Sequence, residues 1–157
     1  MKKVLLISPR KIVEKRGTKR IVPPLGLAYI GAVLEENNFN VKILDVALEG
    51  YNTEEKKDNK IIFGLSDYNI IQKIKDFNPD YVGVSMSLSL YSKEALNICR
   101  LVKETNKNII VIVGGVHASF ASKELIKDKN IDYIIKGEGE YSFLNILKGE
   151  CKNKIIK

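Results

Sequence analysis

The chain has two cysteines, Cys99 and Cys151, one histidine, His117, and four prolines in 157 residues. The cysteines stand 52 positions apart and form neither CxxC nor CxxxCxxC. That excludes a thiolate set for structural zinc or an iron–sulfur cluster within the chain. Cys99 falls on the apolar side of a predicted helix and reads as a small buried hydrophobe, while Cys151 lies in a polar tail and reads as a free thiol. The lone histidine has no companion ligands, which favours a hydrogen-bonded role beside a site over metal binding. No apolar run approaches the roughly 20 residues that span a bilayer. Val4–Ile7, behind Met1-Lys2-Lys3, is far shorter than the ~7–15 apolar residues of a signal peptide. The expectation is a cytoplasmic protein with no membrane partner and no disulfide.

Several ligand motifs are also missing. No GxGxxG follows the first apolar strand, so a dinucleotide-binding reading lacks its fingerprint. No GxxxxGK[ST] is present, which removes the P-loop. The third predicted strand ends in Ser85 rather than Asp, which removes a phosphoacceptor receiver. The formal net charge is +7, and Arg10–Arg20 (RKIVEKRGTKR) supplies +5 of it, from six basic residues and one glutamate. No aromatic residue is interleaved there to stack on bases, so the segment reads as a solvated loop rather than a nucleic-acid surface.

What is present is a regular alternation. Apolar runs predict strands over Lys2–Ser8, Val41–Asp45, Asp80–Ser85, Ile109–Val113 and Asp132–Lys136. Helical spacing predicts helices over Pro24–Asn37, Asp67–Phe77, Tyr91–Thr105, about Ser119–Lys127 and about Glu140–Lys148. Ser66 is placed to cap the second of these helices, and Ser89 or Ser92 the third. The segment Pro9–Pro23 reads as a long loop, residues 49–60 as a polar mobile excursion, and Gly149–Lys157 as a frayed tail. Near-continuous apolar strands need cover on both faces. This composes an α/β three-layer sandwich, flavodoxin-like (Rossmann-like), with five parallel strands in the order 2-1-3-4-5. Loops after strands one, three, four and five then converge on one sheet edge, where ligands of open α/β sheets bind.

Three of these loops stand out. Ser85-Met86-Ser87-Leu88-Ser89 sets small hydroxyls at the switch point. Gly114-Gly115-Val116-His117 ends strand four, and paired glycines let a large ligand approach the backbone. Gly137-Glu138-Gly139-Glu140 ends strand five, with Glu140 read as a cap on the helix that it opens. Together they suggest a composite site for something larger than one phosphate.

On these residues the chain resembles the cobalamin (B12)-binding domain of cobalamin-dependent radical SAM enzymes. The matching stretches are Pro23–Asp45, Phe63–Ser87 and Val113–Glu140, carrying PPLGL, PDYVG, GGxH and GEGE in that order. The resemblance implies a flavodoxin-like domain ahead of a radical SAM barrel. Edge loops would hold the corrin, and the dimethylbenzimidazole tail would insert into the domain. In methyltransferases and mutases a D-x-H-x-x-G motif after strand one supplies a histidine to cobalt. Here that pattern falls on Ile21, Pro23 and Gly26, so only the glycine remains. The resemblance therefore implies base-off, His-off cobalamin, with no metal-ligating and no catalytic residue in this chain. Its implied cofactor-binding set is Gly26, Ser85, Ser87, Leu88, Ser89, Gly114, Gly115, Val116, His117, Gly137 and Glu138. The basic loop Arg10–Arg20 is expected near the lower corrin face or the barrel. SAM and the [4Fe–4S] cluster belong to a barrel in cis, absent from this sequence. On that reading residues 1–148 form the cobalamin-binding domain, and 149–157 a tail or the start of a linker to the missing domain. The chain by itself is expected to be non-catalytic, within a methyltransferase or cyclase. Two rival readings fit the same loops. One is a flavodoxin-like flavin or nucleotide module whose serine loop grips a phosphate. The other is an interaction domain whose loops are merely tight turns.

Overall fold

Val4, Leu5, Leu6 and Ile7 are all buried, with no alternation between faces, so the strand that they form needs cover on both sides. A computed structural model describes all 157 residues and shows how that cover is built. The chain runs through β1 (Lys3–Ser8), β2 (Lys11–Glu14), α1 (Leu25–Glu36), β3 (Asn40–Asp45) and α2 (Val46–Glu49). It continues through β4 (Glu54–Lys57), β5 (Lys60–Phe63), α3 (Asp67–Phe77), β6 (Tyr81–Ser85), a 3-10 turn (Ser89–Tyr91) and α4 (Ser92–Thr105). It ends with β7 (Ile110–Gly114), α5 (Val116–Phe120), α6 (Ser122–Leu125), β8 (Tyr133–Ile135), α7 (Glu140–Lys148) and β9 (Ile155–Ile156).

The main sheet has the order β3-β1-β6-β7-β8-β9, parallel throughout. The five expected strands are all present in the expected order, with ends shifted by one residue at most. The sixth strand is a correction. The tail read as frayed adds β9 to the open edge of β8, where Ile134 donates to the Lys154 carbonyl and Lys136 to the Ile156 carbonyl, each at 2.8 Å. Ile155 and Ile156 pack on the two cores, which gives that short pairing its apolar anchor.

One core lies between the sheet and α3 and α4, with Ile70, Ile74, Ile98 and Val102 facing Leu5, Val82 and Val111. The other lies under α1 and α7, where Leu27, Leu34, Phe143 and Leu147 meet Val4, Leu6 and Ile112. Each such side chain stabilises the fold by roughly 1.5–3 kcal/mol relative to exposure. Cys99 is buried in the first core, and its thiol is pushed up to about 12 by desolvation. Cys151 is half-buried against the second.

Two further expectations are overturned. Residues 49–60 do not form a loose excursion, and Pro9–Pro23 is not loop throughout. β4 and β5 form an antiparallel hairpin turned at Asp58-Asn59, with Asp58 at a φ of +53°. β2, inside the presumed loop, pairs with β5 to make a three-stranded sheet in the order β2-β5-β4. Glu54–Lys57 is exposed and offers no apolar alternation, so pairing there rests on backbone bonds, the Lys19–Glu54 ion pair and one buried anchor, Phe63. The helix expected over Ser119–Lys127 instead begins at Val116 and breaks into α5 and α6, which puts His117 and Ala118 in a helix rather than a loop. Ser66 caps α3 as expected, accepting from the Asn69 N–H at 3.2 Å. Glu140 lies in the first turn of α7 but makes no side-chain cap, and neither Ser89 nor Ser92 caps α4.

Candidate functional site

The carboxyl ends of β1, β6, β7 and β8 open into a cleft of about 410 Å³ between α1 and the start of α7. Its floor is set by a glycine inside a strand. A Cβ at Gly83 on β6 would come within 2.7 Å of both Leu6 Cδ2 and Phe143 Cε2. Gly83 thus lets the Phe143 ring lie against the sheet, beside Ile112 and Ile135. α1 forms one wall through Pro24, Leu27 and Ile30, while Gly137–Glu140 forms the facing rim.

The loops around the cleft are stitched to one another. At Gly115 φ is +111°, and a Cβ there would meet the Met86 carbonyl oxygen at 2.8 Å. Only glycine turns the chain this sharply from β7 into α5 at that spacing. Met86 donates to the Gly114 carbonyl at 2.7 Å and accepts from the His117 N–H at 3.1 Å. The His117 Nδ1 and Ser89 Oγ share a hydrogen bond of 2.8 Å. Ser119 Oγ donates to the Gly115 carbonyl and accepts from the Gly137 N–H, both at 3.0 Å.

Of the residues expected from sequence, Gly26, Ser85, Ser87, Gly114, Gly115, Val116, Gly137 and Glu138 line the cleft. Leu88, Ser89 and His117 do not line it; Leu88 is exposed at the edge, and Ser89 and His117 tie the β6 loop to α5. A Cβ at Gly26 or Gly137 would meet nothing within 4 Å; Gly137 is held at a φ of +81° that favours glycine, whereas no packing or backbone demand explains the glycine at 26. What their missing side chains leave is room at the cleft. The expected set did not include Ser8, Gly83 and Phe143, and held Lys11 only as part of the basic segment Arg10–Arg20 expected near the corrin or the barrel. Ser8 ends the central strand at the switch point, and a glycine inside a strand signals a close approach, so two of those three carried a readable sign.

The polar groups that face the cleft are few: the hydroxyls of Ser8, Ser85 and Ser87, the carboxylates of Glu138 and Glu140, and the amine of Lys11. No imidazole, thiol or thioether lines it, and no group of three or more His, Cys, Asp or Glu side chains could hold a metal ion. Burial pushes the Lys11 ammonium below its usual proton affinity, opposed by the Asp45 carboxylate. The rest of the basic segment is partly absorbed within the chain. The Arg10 Nε donates to the Leu65 carbonyl at 2.8 Å and its guanidinium pairs with Asp67 and Glu94, while Lys19 pairs with Glu54 at 2.7 Å.

The family model described as the B12 binding domain matches residues 15–147, nearly the whole chain and all of the cleft except Ser8 and Lys11. The chain belongs to the B12-binding-domain family. It is 39% identical over 148 residues to cytidylyl-2-hydroxyethylphosphonate methyltransferase of Streptomyces wedmorensis, covering 90% of this chain and 27% of that protein. It is 28% identical over 127 residues to the anaerobic magnesium-protoporphyrin IX monomethyl ester cyclase of Rubrivivax gelatinosus, covering 80% and 20%. The domain thus spans roughly a quarter of the length of these curated relatives. A cobalamin-binding protein from Desulfitobacterium hafniense shares the fold, with a TM-score of 0.57, 18% identity, and coverage of 96% of this chain and 59% of that one. No helix is long and apolar enough to cross a membrane.

Proposed function

We propose that this domain holds cobalamin at the carboxyl edge of its sheet, with the nucleotide tail in the cleft between α1 and α7. The observation that carries this reading is the open space at Gly26 on the cleft lining, where neither packing nor a positive φ calls for glycine. A cleft of about 410 Å³ suits a nucleotide-sized group, which leaves the larger macrocycle at the mouth. Ser85, Ser87 and the Gly114-Gly115 backbone would receive the tail, and Leu88, Val116 and Glu138 would border the macrocycle. Ser89 and His117 would act by holding the β6 loop against α5. The absence of any imidazole from the cleft lining supports His-off binding, as do Ile21 and Pro23 where the histidine-ligating pattern would need Asp and His, and a tail seated in the cleft would make it base-off. Cobalamin, when bound, supplies a cobalt centre able to carry a methyl group; the residues here bind and orient it.

The larger enzyme is proposed to be a radical SAM methyltransferase or cyclase, with its barrel, SAM and [4Fe–4S] cluster outside this chain. Relatives several times its length, named as methyltransferases and cyclases, support that reading. So do the exposed apolar side chains on the cleft lining, Leu25 and Val116, at 62% and 76% exposure. Residues 149–157 would then lead from the domain toward the barrel, with β9 as the last element that docks to the sheet.

The test is an absorption titration of the chain with hydroxocobalamin. A saturable shift to the base-off spectrum supports the reading. A folded chain that gives no shift but binds FMN overturns it in favour of a flavin module.

A further inference from the structure

Lys11 is the sole lysine or arginine that lines the cleft, and its ammonium makes no hydrogen bond or ion pair with the rest of the chain. It stands 4.6 Å from the centre of the Tyr91 ring, half-buried. A cation withdrawn from water without a hydrogen-bonding partner is costly, and an aromatic face offsets only part of that cost. Its neighbour Arg10 is in the opposite condition, engaged by Leu65, Asp67 and Glu94. Within one dipeptide, one cation is fully used by the fold and the next, at the cleft lining, has no hydrogen-bonded partner.

The position of Lys11 is fixed by the accessory sheet. Lys11 pairs with Phe63 in the β2–β5 register, and Phe63 is fully buried. The Arg10 clamp holds the residue before it. The cleft's anionic side chains, Glu138 and Glu140, follow β8, three places from β1 in the sheet order β1-β6-β7-β8. The cleft lining is therefore polarised, with its one cation at the β1 side, where the Asp45 carboxylate at the end of β3 offsets part of that charge, and its two carboxylates at the β8 side. Between them lie only the neutral hydroxyls of Ser8, Ser85 and Ser87. An anion entering the cleft is drawn to the first side and repelled from the second.

We propose that Lys11 binds the phosphodiester of the cobalamin nucleotide tail, and that the sheet β2-β5-β4 exists to hold this lysine there. The assignment rests on the cobalamin reading above and adds an orientation: the tail's one anionic group lies toward β1.

Two corrinoids that differ in the tail provide the test. Cobalamin carries the phosphodiester and base; cobinamide lacks both. The full chain, Lys11→Met and Lys11→Arg are titrated with each ligand, by absorption and by equilibrium dialysis, with circular dichroism confirming that the variants fold. The expected result is that K11M weakens cobalamin binding by about tenfold or more, as loss of a charge-assisted contact does. Cobinamide binding stays unchanged, and K11R holds cobalamin within about threefold of the parent, since it keeps the charge. If the parent chain does not bind cobinamide measurably, the K11R and K11M affinities for cobalamin decide. K11M binding cobalamin as tightly as the parent overturns the assignment, as does an equal loss for both ligands or a K11R as weak as K11M. A parent chain that binds no corrinoid overturns the cobalamin reading itself, and this assignment with it.

Discussion

The Ser119 hydroxyl accepts a hydrogen bond from the Gly137 N–H at 3.0 Å while donating to the Gly115 carbonyl at the same distance. One short side chain thus joins the turn after β7 to the loop after β8, two neighbouring glycine segments on one side of the cleft. Ser119→Ala is expected to cost about 1–3 kcal/mol of stability, the usual net worth of the two intramolecular hydrogen bonds that it removes. The measurement is urea unfolding. A loss of corrinoid affinity larger than that stability change would show that the bridge preorganises the site.

Gly26 and Gly115 predict opposite behaviour. Gly26→Leu places a side chain in open space near the start of α1, where leucine is the better helix former, so stability is unchanged or raised by roughly 0.5 kcal/mol. Corrinoid binding is expected to fall sharply, because that open space is filled. Gly115→Ala meets the Met86 carbonyl in a left-handed backbone region and is expected to destabilise the fold by about 1–3 kcal/mol. Thermal unfolding and titration of both variants separate a gap kept for a ligand from a gap kept for the chain.

Lys11 predicts a pH dependence whose sign is set by burial. Desolvation holds its folded proton affinity below the ordinary 10.5, so the unfolded chain binds the proton more readily. Stability of the parent, relative to Lys11→Met, is therefore expected to rise with pH across the window just below and up to 10.5. Paired urea titrations between pH 8 and pH 11, both chosen to bracket that value, check this. A difference that falls with pH contradicts the burial of the ammonium.

Cys99 is expected to be inert in the native protein. With its thiol pushed up to about 12, about one part in ten thousand is thiolate at pH 8, and it is sealed in the core under α4. Alkylation under native conditions should modify Cys151 alone, and both thiols in denaturant, counted by mass spectrometry.

The parallel sheet was readable because strands covered on both faces must be continuous apolar runs, as in Val4–Ile7 and Ile110–Val113, whatever their partners. α7 was readable, its ends given only approximately, because Gly139 and Gly149 punctuate it. The accessory sheet was not, since Glu-Glu-Lys-Lys carries no facial pattern and β2 finds its partner some fifty positions later. The cleft followed the same division. Glycines at strand ends marked the loops, whereas Lys11 reaches its place through a pairing that no local pattern encodes. His117 was read as a loop residue because the turn into α5 takes a single glycine, shorter than loop statistics suggest.

The antiparallel sheet β2-β5-β4 forms no ladder with the parallel one. A lineage could therefore trim, lengthen or recharge the hairpin at Asp58-Asn59 without shifting the register of any strand that bears the core. Residues of the accessory sheet that border the cleft can thus vary while the main sheet keeps its pairing, which makes recognition in this domain adjustable apart from the parallel ladder.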